Sequence, residues 1–145
     1  MKILVSACLL GRDCKYSGGN NRSQALLDWL DAHDLEPVAV CPEVQGGLAT
    51  PRPPAERQGD RVVNREGRDV TAQYVRGAEI ALETARREGC RMAILKAKSP
   101  SCGTGQIYDG SFTGTLVPGD GVASRLLQDS GIRVYSEKNF TEADV

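Results

Sequence analysis

Four short apolar runs, at residues 2–6, 35–40, 91–95 and 132–135, limit what this chain can become. Each has strand length, and the segments between them carry helical spacing or Gly- and Pro-rich loops. A helix is expected to begin around Ser23, with Ser23 or an Asn just before it as N-cap and Ala25, Leu26, Leu27, Trp29 and Leu30 as its apolar side. The longest helix is expected over residues 71–88, where Val75, Ala78, Ala81, Leu82 and Ala85 recur at helical spacing and Gly89 stops it. A third helix is expected over residues 122–129, capped from behind by Asp120 and ended by Gly131. A small β-hairpin is expected within residues 61–70, with Glu66-Gly67 at its turn, and the tail from Glu137 is expected to fray. Strands alternating with helices are the order of an α/β fold, here a largely parallel Rossmann-like sheet with right-handed crossovers.

A chain of 145 residues is long enough to bury a core as a single domain, and none of it repeats. Its 18 basic and 19 acidic residues balance to a net charge of -1, without the basic stripe that nucleic acid polymers require. No apolar run is long enough to cross a bilayer, and the opening residues read as a first strand rather than a signal peptide. The expected compartment is the cytoplasm, where thiols stay reduced. The five cysteines are therefore ligands, nucleophiles or core fillers rather than disulfide partners.

Their positions narrow the choice. Cys8 follows the first run, Cys41 ends the second, and Cys102 sits in the loop after the third. Open parallel sheets bind ligands beyond the carboxyl ends of their strands, so these three thiols are expected to converge at one edge. Cys14 shares a loop with Cys8 and either joins them or lies beside them; Cys90 precedes its strand and reads as a packing residue at the opposite edge. In the third loop Pro100 holds Ser99 extended, and Gly103 and Gly105 permit the irregular backbone that presents Ser101 and Cys102.

Zinc sites of four thiols favour paired, closely spaced knuckles, and this chain has no Cys-x-x-Cys. Iron–sulfur clusters accept dispersed thiolates, and a three-thiolate cluster leaves one iron open for chemistry. Glu43, held two residues past Cys41 by Pro42, and Ser101 beside Cys102 are candidates to activate water and relay protons. His33, at a helix end, reads as solvated. Two other chemistries use the same thiols: a structural zinc module on Cys8, Cys14, Cys41 and Cys102, or thiol redox through Cys8 and Cys14. A cluster-dependent protein that inserts sulfur or transfers electrons is a further alternative.

Three ordered motifs carry a resemblance that covers residues 2–135. Ser6-Ala7-Cys8-Leu9-Leu10-Gly11, with Cys14 and Tyr16 downstream, is the first. Cys41-Pro42-Glu43 with Gly46-Gly47-Leu48 and Pro51-Arg52-Pro53 is the second, and Lys96 with Ser99-Pro100-Ser101-Cys102-Gly103 the third. Together they resemble the thiouracil desulfurase family. The resemblance implies a [4Fe–4S] cluster held by Cys8, Cys41 and Cys102, with Cys14 as the alternative to Cys8, and proton-transfer roles for Glu43 and Ser101. It implies a small thiolated nucleobase such as 2-thiouracil as substrate, desulfurated without net redox change to uracil and hydrosulfide. Backbone donors of Gly103-Thr104-Gly105 are expected to orient the base, and residues 51–57 to close the pocket.

Overall fold

The computed structural model describes residues 1–145. In chain order, β1 (Lys2–Ser6) enters a 3-10 turn at Ala7–Leu10, followed by α1 (Gln24–Ala32), β2 (Glu36–Val40) and the one-turn helix α2 (Pro42–Gln45). A hairpin of β3 (Ala55–Gln58) and β4 (Arg61–Asn64) leads to the long α3 (Thr71–Glu88) and β5 (Met92–Leu95). A second hairpin, β6 (Gln106–Tyr108) and β7 (Leu116–Pro118), precedes α4 (Val122–Asp129) and β8 (Arg133–Ser136).

β1 and β5 are apolar on both faces because both faces are covered. They lie at the centre of a four-stranded parallel sheet of order β2-β1-β5-β8. Leu4, Ala93 and Leu95 point to one side, where they pack with Ala81, Ala85 and Leu127 of α3 and α4. Ile3, Val5, Met92 and Ile94 point to the other, against Leu26 and Leu30 of α1 and Phe140 of the tail. The strand order reverses between β1 and β5, so a crevice opens beyond their carboxyl ends.

Helix boundaries follow local chemistry. Ser23 caps α1 by accepting a hydrogen bond from the Leu26 N–H, and α3 ends at Gly89 in the left-handed conformation (φ 72°). Val75, counted to the apolar face by spacing, is exposed; Tyr74 is buried in its place. At α4 the cap is Gly121, while the Asp120 carboxylate accepts the Gly105 N–H instead.

The first hairpin also lies earlier in the chain than its composition suggests. β3 pairs with β4 across Gly59-Asp60, and the Glu66-Gly67 turn closes only a single bridge, Val63 to Asp69. The run from Val44 to Arg57 has no periodicity because it is α2, loop and strand in succession. Nor does the tail fray. Phe140 is buried against the ring of Trp29, and Glu137 pairs with Lys96.

Two glycines let α2 approach α3. A Cβ on Gly77 would overlap the Pro42 carbonyl, and one on Gly46 would overlap the Gln73 carbonyl. Gly77→Ala is therefore expected to lower stability by about 1–3 kcal/mol, despite the better helix propensity of alanine. Urea unfolding of the two proteins measures this; an unchanged midpoint would show that Pro42 moves aside freely.

Candidate active site

The crevice beyond β1 and β5 holds a cavity of about 550 Å³. Cys8, Cys14, Cys41 and Cys102 all line it, as do Glu43 and Ser101. Cys90 does not; it is buried in the core between sheet and helices, as expected of a packing residue. His33 is exposed at the end of α1, its Nδ1 2.9 Å from the Trp29 carbonyl.

The loop that presents Ser101 and Cys102 is held by the start of α4. Val122 N–H donates to the Pro100 carbonyl at 2.8 Å, and Ala123 and Ser124 N–H donate to the Ser101 carbonyl. These are the donors a helix leaves unpaired in its first turn, so one set of unmet hydrogen bonds answers another. Gly121 makes the approach possible, since a Cβ there would lie 2.5 Å from the Ser101 carbonyl carbon. Cys102 is thereby buried, with the Ser6 hydroxyl 3.4 Å from its sulfur. Ser6 in turn accepts the Lys96 N–H at 2.9 Å, tying the end of β1 to that of β5.

A directed chain of hydroxyls leads to Glu43. Ser99 Oγ accepts the N–H groups of Ser101 and Cys102, so its own hydrogen goes to Ser101 Oγ, 2.9 Å away. Ser101 then donates to Glu43 Oε2 at 2.8 Å. The other carboxylate oxygen, Oε1, meets the guanidinium of Arg52, with Nε and Nη2 both at 3.1 Å. Tyr74 stands beside this carboxylate. Burial, and then the charge on Glu43, push its hydroxyl pKa well up, so it stays protonated.

Burial dominates the thiols as well. It raises Cys8, an effect opposed by a hydrogen bond from Asn21 and reinforced by neighbouring Cys41. Cys102 is pushed up to about 12 by burial, partly offset by hydrogen bonds from Ser101 and Ser6, with Glu43 and Cys8 adding to the rise. Cys14 is raised by burial and then by Cys41. Cys8 thus feels Cys41, Cys14 feels both Cys41 and Cys8, and Cys102 feels Cys8. No three His, Cys, Asp or Glu side chains come close enough together to grip a single metal ion.

Residues 51–57 do wall the cavity, through Arg52, Pro54, Ala55 and Glu56. The backbone donors of Gly103 and Gly105 are not available to a base: they are spent on the Ser99 carbonyl and the Asp120 carboxylate. A different loop lines the cavity through Tyr108, Phe112 and Gly114. Glu56 accepts the Gly110 and Phe112 N–H groups, holding Phe112 in a left-handed conformation (φ 58°) beside the Arg65 guanidinium.

A family model described as 2-thiouracil desulfurase matches residues 3–139. The chain belongs to that family. A solved structure of the [4Fe-4S]-dependent thiouracil desulfidase TudS is 51% identical, covers 97% of this chain and 93% of its own, and superposes with a TM-score of 0.91. The uncharacterized protein YbbK of Bacillus subtilis (strain 168) is 39% identical over 150 residues, 97% of this chain and 98% of its own. Within this 2-thiouracil desulfurase fold, residue types and loop positions pointed to the thiols, Glu43 and Ser101. Arg52, Ser6 and Ser99 also line the cavity, and residue type alone does not single them out. Arg52 lies between two prolines in the second motif, and that placement was the available signal.

In the metal-free protein, enclosure of Cys102 has a direct chemical consequence. With a pKa of about 12, roughly one thiol in ten thousand is ionised at pH 8, and the thiolate is the form that alkylates. Iodoacetamide labelling followed by peptide mass spectrometry should find Cys102 orders of magnitude slower in the folded chain than in urea, with the rate rising toward pH 12. Equal rates in both states would show that the loop opens readily.

Proposed function

We propose that this chain is an iron–sulfur-dependent desulfurase that removes sulfur from thiolated nucleobases such as 2-thiouracil. In this reading residues 1–145 form one catalytic domain working in the reducing cytoplasm. The observation that carries it is the meeting of Cys8, Cys41 and Cys102 with the Glu43–Ser101 pair in one cavity. No helix is long and apolar enough to cross a membrane.

The donor set suits a [4Fe–4S] cluster. Its thiols come from three separate loops and share a cavity without crowding onto one point, which a single zinc would demand. Cys8, Cys41 and Cys102 are the ligands in this reading, with Cys14 the alternative to Cys8, which lies closer to the end of β1 and needs less loop to reach the cluster. When bound, the cluster supplies a soft, Lewis-acidic iron that prefers sulfur to the oxygen replacing it. A cavity of about 550 Å³ is of the size that takes small molecules. Tyr16, Tyr108 and Phe112 line it and offer flat apolar surface to a pyrimidine.

The reaction is hydrolytic. Thiouracil and water give uracil, hydrosulfide and a proton; the C–S bond is replaced by C–O, and no electrons are gained or lost. Glu43 takes the proton from water at Oε2, the oxygen facing Ser101. Ser101 bridges Glu43 to the interior of the cavity, and Ser99 fixes the direction of its hydrogen. Arg52 holds the carboxylate through Oε1.

Anaerobically prepared protein is expected to be brown and to release hydrosulfide from 2-thiouracil. Cys8→Ala, Cys41→Ala and Cys102→Ala should each lose iron and acid-labile sulfide, while Cys90→Ala keeps both. Iron loss in Cys14→Ala but not in Cys8→Ala would reassign the first ligand. A colourless protein carrying one tight zinc would overturn the reading altogether.

Glu43→Gln keeps the shape of the side chain but cannot take up a proton at neutral pH. It should retain the cluster and lose turnover by about 10²–10⁴-fold, with Ser101→Ala affected less. Hydrosulfide assays normalised to iron content measure both.

A further inference from the structure

The guanidinium of Arg52 is buried, with its side chain only 7% exposed, and every one of its N–H groups has an acceptor. Nε and one Nη2 hydrogen meet Glu43 Oε1, and the second Nη2 hydrogen meets the Cys14 carbonyl at 2.9 Å. Nη1 donates to the Ala49 carbonyl and the Thr50 hydroxyl. The backbone N–H of Arg52 also reaches the Tyr16 carbonyl at 2.8 Å. Pro51 and Pro53 stiffen the chain on either side, so the side chain is rooted in a backbone with little freedom.

This arrangement does more than neutralise a charge. Glu43 has two oxygens, and the fork of Arg52 engages only Oε1. The carboxylate cannot turn without breaking two charge-assisted hydrogen bonds, so Oε2 stays toward Ser101. The same side chain holds the carbonyl of Cys14, which also lies 3.8 Å from Cys41 Sγ. One guanidinium therefore sets the loops after β1 and β2 relative to each other.

We propose that Arg52 is a positioning residue that selects Oε2 of Glu43 as the proton-accepting oxygen and keeps it in register with the thiol-bearing loops. Its role depends on Glu43 acting as the base, the reading given above. Lysine retains the charge but has neither the planar fork nor five donors, so it cannot replace arginine here.

Arg52→Lys and Arg52→Gln, each alone and combined with Glu43→Gln, test this on the cluster-loaded enzyme. Arg52→Lys is expected to lower kcat by about 10- to 100-fold with KM and iron content unchanged, as displacement of a reacting group does. In the Glu43→Gln background, neither Arg52 substitution should lower turnover further, because the group it orients no longer accepts a proton. Losses that multiply in the double variants would overturn the proposal, as would wild-type kcat in Arg52→Lys. Loss of iron, or of the folded circular dichroism spectrum, in both single variants would assign Arg52 to loop stability and overturn it equally. Normal turnover by Glu43→Gln alone would remove the base itself, an outcome visible before any Arg52 variant is compared.

Discussion

Parallel pairing of β1 with both β2 and β5 is the constraint from which the site follows. Parallel strands emit their next loops at the same edge, so residues 41 and 102 arrive beside residue 8 although they are far apart in the chain. Pairing of this kind requires both faces of the sheet to be covered, and the buried side chains of β1 and β5 meet that requirement. A charge within either strand would expose one face to water and separate the thiols with it.

Close approach supplies the second level of order. The thiols are carried on loops, and loops move unless their polar backbone is satisfied. Here the first turn of α4 pairs with the carbonyls of Pro100 and Ser101, and the Arg52 side chain pairs with that of Cys14. Gly121, Gly77 and Gly46 are the positions where backbone meets backbone too closely for a side chain. The candidate groups thus sit on irregular segments that these hydrogen bonds pin in place.

Element order and most boundaries were legible in the chain. The span of α3, the Ser23 cap and the stop at Gly89 are local effects, set by spacing and by backbone preferences within a turn or two. Two departures from local preference share a cause. Asp120 was expected to cap α4 but serves Gly105, and Glu137 was expected to lie in a frayed tail but binds Lys96 and the Ala97 N–H. In each, a polar group found a partner distant in sequence, and local preference gave way.

The candidate site divides in the same manner. Residue type and position after an apolar run brought Cys8, Cys41, Cys102, Glu43 and Ser101 forward as candidates beside Cys14, because a parallel sheet has one binding edge, and all six line one cavity. The sequence by itself thus determined which candidate groups the chain carries and at which end of the sheet they lie. Only the tertiary structure decided that Ser6 faces Cys102, that Ser99 directs Ser101, and that Arg52 holds one oxygen of Glu43 and leaves the other to Ser101. Those choices depend on distances of a few ångströms between loops, which no pattern of residues along a single strand or helix encodes.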